Sequence, residues 1–257
     1  MASKVGGGST GIKKDLWSDR WSRQLRDMIP FGAVWNWFYV GVRCRNPAVG
    51  TTAEDIWGQG GVQVYPTTAA TGTVVSTAAA DDDGSTGALT VDIEGLDENY
   101  NEISETVTMN GTTGVTTSKS YLRVNSLKVA TSGTGQTNAG DITITVGGNV
   151  QRFIAAGDGI CHCSQYTIPA GHRAYLTRIE GTQGQDASTN FTIGYKTPAS
   201  NTWIVVTHQI VYRNEVAHDM DGSIQIPEKS DVRMQGETAS GSSDMAGYYV
   251  LFMEKYD

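Results

Sequence analysis

The chain has 257 residues, of which 39% are hydrophobic and only 18% charged, with 31 glycines and a formal net charge of −8. This length allows one large or two ordinary domains, while the acidic balance argues against nucleic-acid binding, which needs concentrated Lys and Arg. No apolar run approaches the roughly 18 residues that span a bilayer, and residues 1–15 lack the apolar stretch of a signal peptide. We therefore expect neither nucleic-acid binding nor membrane insertion.

The first 30 residues combine an arm with the one helical period of the chain. Residues 1–11, MASKVGGGSTG, are typical of a flexible arm or of one that is ordered only against a partner. Four apolar residues then follow at i, i+4, i+8 and i+11, which predicts an amphipathic helix that ends before Pro30. These residues are Trp17, Trp21, Leu25 and Met28. Their stripe needs an apolar partner, either the body of this chain or a neighbouring subunit.

An aromatic strand is predicted next, because GAVWNWFYVGVRCRNP (residues 32–47) is rich in aromatic and β-branched residues. The following TTAEDIWGQGG allows a short helical turn with Thr52 as N-cap and Asp55 at its third position. Five of the six tryptophans precede residue 58. We expect residues 1–60 to form an N-terminal arm, helix and anchoring segment that binds a neighbouring subunit. The expected anchor residues are Trp17, Trp21, Leu25, Met28, Trp35 and Trp37.

From residue 62 onward apolar and polar residues alternate in short runs separated by Gly, Asn, Asp or Ser. A spacing of about 8–12 residues between turns is typical of antiparallel sandwiches and barrels. A break at residues 155–159 begins a second series of such runs. The sequence thus predicts an all-β fold of two tandem antiparallel β-sandwich, jelly-roll-like domains at residues 61–155 and 156–257, after the short amphipathic helix and arm. No Pro- or Ser-rich linker separates them, so we expect them to pack together.

Several motifs invite a chemical function, and we interpret each as structural. Cys161 and Cys163 are expected to share one face of a strand while His162 points to the other, so the three do not converge on a zinc ion. The acidic runs at 81–85 and 219–222 lack the ligand pattern of a calcium loop and are interpreted as solvated turns, although a structural cation stays possible there. The sequence contains no nucleophile elbow and no HExxH helix. We expect no catalytic residue, no metal and no cofactor.

Four stretches of the chain carry a resemblance to a known family: TVDIEGLDENYNEISETVTMNGTTGVTTSKSYLRVNSLKV, TNAGDITIT, YTIPAGHRAYLTRIEG and IPEKSDVRM. They resemble virion structural proteins of tailed, podovirus-like bacteriophages of aquatic bacteria. The likeness spans about residues 50–254 and is strongest over 89–145. It implies a non-enzymatic component of the head or the tail, and it carries no functional residue over to this chain.

The functional expectation is a capsid decoration, or cement, protein that binds neighbouring virion subunits through its N-terminal segment. Its partners would be further copies of itself, as a homotrimer, and the major capsid or tail proteins. It would be assembled in the host cytoplasm, in keeping with three cysteines that form no disulfide framework. One alternative is a tail component, although no coiled-coil heptad or fibrous repeat is evident.

Two further alternatives belong to other functional classes. A receptor- or glycan-binding module would use loops such as residues 181–190 or 237–245. A glycan depolymerase would need a pair of carboxylates that face a cleft.

Overall fold

The computed structural model describes residues 36–184, 188–200, 202–212 and 215–256, and every regular element in these ranges is a β-strand. The expected all-β class is confirmed. The expected N-terminal helix lies outside the described residues. The strands are β1 (Trp37–Val49), β2 (Glu54–Asp55), β3 (Ala70–Ser76), β4 (Ala88–Leu96), β5 (Glu102–Thr108), β6 (Val115–Tyr121), β7 (Arg123–Ser132), β8 (Ile142–Val146), β9 (Asn149–Ile154), β10 (Tyr166–Thr167), β11 (His172–Gln183), β12 (Ser188–Lys196), β13 (Ile204–Tyr212), β14 (Glu215–Ile226), β15 (Asp231–Thr238) and β16 (Ser243–Lys255).

These strands form four antiparallel sheets. Sheet I has the order β1-β16-β11-β14, and sheet II has the order β10-β15-β12-β13 with β2 also paired to β15. Sheet III has the order β6-β3-β8-β9, and sheet IV has the order β5-β4-β7. Strands such as β8 and β15 alternate buried and partly exposed residues along much of their length, as expected when one face of a sheet covers a core.

Two separate hydrophobic cores hold the sheets together in pairs. Sheets I and II enclose the first core, in which Phe191 of β12 and Tyr249 of β16 are among the largest buried side chains. Sheets III and IV enclose the second core, which includes Ile93 of β4 and Ile144 of β8. At about 1.5–3 kcal/mol for each large apolar side chain, this burial is the main term that stabilises each pair of sheets.

The first described strand pairs with the last. Strand β1 runs antiparallel to β16, with Trp37 opposite Glu254 and Asn46 opposite Met245. Val42 and Cys44, two residues apart in β1, both face the first core, so β1 packs one face of sheet I against that core. The segment of residues 1–60 that was expected to form an arm therefore includes β1 and β2, which belong to sheets I and II. The strands of the second core, β3 to β9, follow β2 in the chain and precede β10.

A buried ion pair joins the two cores at one side of their junction. Arg123, at the start of β7, donates through Nε and Nη2 to the two carboxylate oxygens of Asp231, at 2.8 and 3.0 Å. Both side chains are under 10% exposed. The Thr167 hydroxyl also donates to Asp231 Oδ1, at 2.7 Å, and Arg123 Nη1 donates to the carbonyl oxygen of Pro66. Since β7 and β15 belong to different cores, this pair fixes their relative position.

The predicted helical turn near Thr52 is wrong, because Asp55 lies in β2 opposite Gln235. Its carboxylate is fully buried and accepts hydrogen bonds from the backbone N–H of Gln63 at 2.8 Å and from the side chains of Gln165 and Gln235, each at 3.0 Å. Burial raises the pKa of Asp55, while these hydrogen bonds oppose the rise. The partners come from three distant segments, which hold the backbone extended.

Two strand predictions also differ from the structure. Residues 62–66 were expected to form a strand but have no ladder, because the Asp55 carboxylate and the Gln151 side chain bond their backbone instead. Strand β6 was not expected, since its sequence VTTSKSY contains few apolar residues. It pairs with β3 at the edge of sheet III and buries mainly Thr117 and Tyr121.

Candidate functional site

A cleft of about 590 Å³ lies between β1 of sheet I and the outer face of sheet IV. The irregular segment 160–166 also lines it. The cleft thus forms where the two cores meet, on residues that are far apart in the sequence. Its lining includes the side chains of Phe38, Arg43, Glu94, Glu102, His162 and Tyr166.

Two carboxylates lie on neighbouring strands of the cleft wall. The register places Glu94 opposite Ser104 and Leu96 opposite Glu102, so Glu94 and Glu102 are diagonal neighbours. Such neighbours are roughly 7–8 Å apart and within reach of long side chains. Lys128 Nζ lies 3.6 Å from Glu94 Oε1 and balances part of this charge.

Tyr166 lines the cleft and lies within the field of both carboxylates. Burial raises the pKa of the Tyr166 phenol, and the charges of Glu102 and Glu94 raise it further. The phenol therefore keeps its proton at neutral pH and can act as a hydrogen-bond donor toward a bound molecule.

A pair of thiols forms another part of the cleft. The predicted strand face for Cys161 and Cys163 is wrong, because residues 161 and 162 have no ladder and Cys163 makes only an isolated bridge to Trp57. The two thiols lie beside each other on the cleft wall, where each affects the pKa of the other. The N–H of Leu127 also donates to Cys161 Sγ at 3.4 Å, and the Cys163 thiol contacts the carbonyl oxygen of Phe153 at 3.8 Å.

The thiol pair lies in the field of a buried arginine. Arg152 is 1% exposed and donates to the carbonyl oxygens of Gln151 and Gln165, at 2.6 and 2.8 Å. Among the residues that the structure describes, no carboxylate pairs with it and its Nε has no partner. The neighbouring Cys163 thiol lowers the pKa of Cys161 below the ordinary thiol value, and the charge of Arg152 contributes to the shift. The same pairing raises the pKa of Cys163.

The acidic turn at residues 81–85 lies away from the cleft and differs from the expected solvated turn. Asp81 is fully buried and accepts hydrogen bonds from the Ser76 hydroxyl at 2.5 Å and from the backbone N–H groups of Ala88, Ala139 and Gly140, at 2.7, 2.7 and 2.9 Å. Burial alone would raise its pKa, but these donors lower it. The Asp81 carboxylate therefore ties three segments of the second core together.

The described ranges contain no candidate metal site, because no group of three His, Cys, Asp or Glu side chains is placed there to hold a metal ion. The side chains of the second acidic run, residues 219–222, lie outside the described part.

Of the six predicted anchor residues, only Trp37 is described. Its half-buried ring stacks on Tyr175 of the same chain, with centroids 5.5 Å apart and an interplanar angle of 17°. The neighbouring Phe38 and Tyr39 are exposed. Trp17, Trp21, Leu25, Met28 and Trp35 lie outside the described residues, so the anchor stays a prediction.

Sequence reasoning did not find the cleft. The sequence analysis singles out none of Glu94, Glu102, Arg152 and Tyr166. No local pattern distinguishes a residue that faces a cleft from one that faces solvent. The CHC motif was the one signal, and it was interpreted as structural, with the two cysteines on one face of a strand and His162 on the other.

No protein-family model, no curated protein and no solved structure matches this chain. In the part of the chain that the structure describes, no helix is long and apolar enough to cross a bilayer.

Proposed function

We propose that the protein is a non-enzymatic structural component of a bacteriophage virion, assembled in the host cytoplasm, and that it decorates the capsid. We interpret sheets I and II as one jelly-roll-like β-sandwich and sheets III and IV as another. In this proposal the chain binds further copies of itself as a homotrimer, and its N-terminal segment binds the major capsid protein. The resemblance of residues 50–254 to phage virion proteins supports the proposal.

The observation that carries the proposal is an exposed apolar edge strand. Strand β13 ends sheet II, and it leaves Ile210 74% exposed, with Ile204 45% and Val205 48% exposed. Unpaired edges with apolar side chains are templates for pairing with another chain, and monomeric proteins usually protect them. A second copy of this chain that pairs along β13 would bury this surface.

The buried ion pair of Arg123 and Asp231 supports the same function. A subunit that holds its neighbours in fixed positions must itself resist bending at its junctions. Because the pair and its Thr167 contact are buried and fully hydrogen-bonded, they oppose relative motion of the two cores.

The N-terminal anchor is tested by deleting residues 1–30 and measuring incorporation of the variant into particles. We expect a folded protein that is lost from purified virions, since large apolar side chains contribute about 1.5–3 kcal/mol each when they are buried. Incorporation at the normal copy number would refute the anchor.

The β13 surface is tested by the substitution Ile210→Lys, with Val64→Lys as the matched control. Both side chains are exposed aliphatics, but Val64 lies outside β13. We expect Ile210→Lys alone to reduce self-association of the purified chain in sedimentation experiments. Equal association of the two variants would exclude β13 as the contact.

The first alternative is a tail component, either fibre- or adaptor-associated. It shares every feature of the proposal except the position in the particle, so it is distinguished by locating the labelled protein on the virion.

The second alternative is a receptor- or glycan-binding module, and the cleft is the observation that favours it. Phe38 and Tyr166 offer aromatic surface beside the polar groups of Glu94, Glu102 and Asn125, a combination suited to sugar rings with hydroxyl groups. Binding of the isolated protein on a glycan array, lost in Glu102→Gln, would support this module. Release of soluble sugars that stops in Glu94→Gln and Glu102→Gln would instead indicate a depolymerase and would refute the non-enzymatic proposal.

A further inference from the structure

We propose that Cys161 and Cys163 form a thiol–disulfide exchange site that opens onto the cleft. Cys161 attacks a small disulfide, and Cys163 resolves the product to leave a Cys161–Cys163 disulfide. The inference is independent of the proposed function, because it uses only the chemistry of these two side chains.

Access to the two sulfurs differs in the way that exchange requires. Cys161 is half-buried and both cysteines line the cleft of about 590 Å³, which gives a small molecule a route to Cys161. Cys163 is only 4% exposed and is in contact with Cys161. An external disulfide therefore meets Cys161 first, and Cys163 is placed to act on the mixed disulfide from inside.

The surroundings of Cys161 favour the thiolate, which is the reactive form. The N–H of Leu127 donates a hydrogen bond to its sulfur, and the neighbouring Cys163 thiol also favours the charged form. Arg152 adds a buried positive charge that no carboxylate in the described residues neutralises. Together these surroundings lower the pKa of Cys161, so a larger share of it is ionised near neutral pH than in an ordinary thiol.

The exchange proceeds in two displacements. In the first, the Cys161 thiolate forms a bond to one sulfur of the small disulfide, whose S–S bond breaks and releases one thiolate. In the second, Cys163 loses its proton to that thiolate or to solvent and attacks the Cys161 sulfur, which displaces the second thiolate. The two cysteines are oxidised to one disulfide, and the small disulfide is reduced to two thiols.

The third cysteine provides an internal comparison. Cys44 of β1 is 3% exposed, lies in the first core and does not line the cleft. Burial raises the pKa of the Cys44 thiol. Cys44 should therefore stay unreactive as long as the protein is folded.

Exchange at this site would change contacts at the junction of the two cores. The Cys161 N–H donates to the carbonyl oxygen of Leu127 in β7, and the carbonyl oxygen of His162 accepts from the N–H of Arg45 in β1. Cys163 bridges to Trp57 beside the first core. Residues 161–163 thus contact both halves of the molecule.

The test incubates the full chain with oxidised glutathione and follows intact mass and peptide maps. We expect the wild-type chain to lose two hydrogen atoms and to form the Cys161–Cys163 linkage without a lasting adduct. Cys163→Ser should accumulate one glutathione on Cys161, and Cys161→Ser should react at least about tenfold more slowly. Cys44→Ser, as the matched control, should react like wild type.

Three results would overturn the inference. They are reaction of the wild-type chain only after denaturation, a wild-type adduct on Cys161 that never resolves, and unchanged reactivity of Cys161→Ser. A second measurement needs no variant: the rate of iodoacetamide alkylation of Cys161 should reach half its maximum below the ordinary thiol value of 9.0, and a midpoint at or above 9.0 would contradict the thiolate assignment.

Discussion

Removing the Asp231 carboxylate should destabilise the protein far more than removing a similar carboxylate at the surface. Asp231→Ala leaves Arg123 buried beside a side chain that can no longer accept its hydrogen bonds. Asp244→Ala is the matched control, because Asp244 also makes a two-point contact with an arginine, at 3.1 and 2.7 Å from Arg45. The two pairs differ mainly in burial.

The magnitude follows from that difference. The side chains of Arg123 and Asp231 are 9% and 4% exposed, whereas those of Arg45 and Asp244 are 56% and 45% exposed. Breaking a buried pair from one side costs about 3–5 kcal/mol, since the remaining charge stays desolvated. An exposed pair contributes about 0–1 kcal/mol. A loss of about 4 kcal/mol in Asp231→Ala lowers the folding equilibrium constant nearly a thousandfold.

The assay is urea unfolding of the wild-type chain and both variants, with the free energy of unfolding taken from the linear dependence on urea. The Asp231→Ala transition should move to clearly lower urea, while Asp244→Ala should stay close to wild type. A double variant, Arg123→Met with Asp231→Leu, should lose less stability than Asp231→Ala alone, because it leaves no buried charge without a partner.

Two outcomes would refute this reasoning. Equal, small effects of Asp231→Ala and Asp244→Ala would mean that the junction between the cores is open to water in solution. A double variant less stable than Asp231→Ala would mean that the pair itself, rather than the cost of an unpaired charge, contributes the stability.

Two further predictions concern the second core. Asp81→Ala should lower the free energy of unfolding by about 3 kcal/mol or more, because four donors lose their acceptor. The folded-state pKa of Asp81 lies below its ordinary 3.8, so this contribution is present above pH 3.8 and is lost as the pH falls through the folded-state value. The difference in free energy of unfolding between wild type and variant should therefore narrow in acid, and a constant difference would contradict the prediction. Gly95→Ala places a Cβ 2.3 Å from the carbonyl oxygen of Arg123 and should lower the free energy of unfolding by about 1–3 kcal/mol, measured by thermal unfolding. Gly184→Ala, where the nearest neighbour of the added Cβ is 3.6 Å away, should have little effect in the same assay.

Local patterns predicted much of the second core. In the hairpin of β4 and β5, Ile93 and Val107 are buried and Ile103 packs against the same core, as their alternation indicates. The turn between them is formed by Asp97, whose carboxylate accepts the N–H groups of Asn99 and Asn101. These features could be predicted because neighbours in the sequence create them.

The sequence IPAG (residues 168–171) indicates a turn for a similarly local reason. Gly171 adopts a φ of +69°, which glycine tolerates without a steric cost, directly before β11. The fixed φ of a proline and the conformational freedom of a glycine act within a few residues, so sequence alone indicates them.

Contacts between distant segments could not be predicted in this way. The aromatic and β-branched composition of β1 indicated a strand but not that its partner is β16, about 200 residues later, and the cleft depends on that pairing. Asp81 resembled any acidic turn residue, since its donors Ala139 and Gly140 lie far along the chain. The sequence placed Cys161 and Cys163 on a strand, since it could not reveal that Cys163 instead makes an isolated bridge to the distant Trp57.

The location of the protein on the virus particle tests the central proposal most directly. The full chain, carrying a small electron-dense tag at its C-terminus, would be expressed during phage assembly and purified particles imaged by electron microscopy. We predict regularly spaced label over the capsid surface, in groups of three. Label confined to the tail would favour the tail alternative, and purified particles without label would contradict a structural role in the virion.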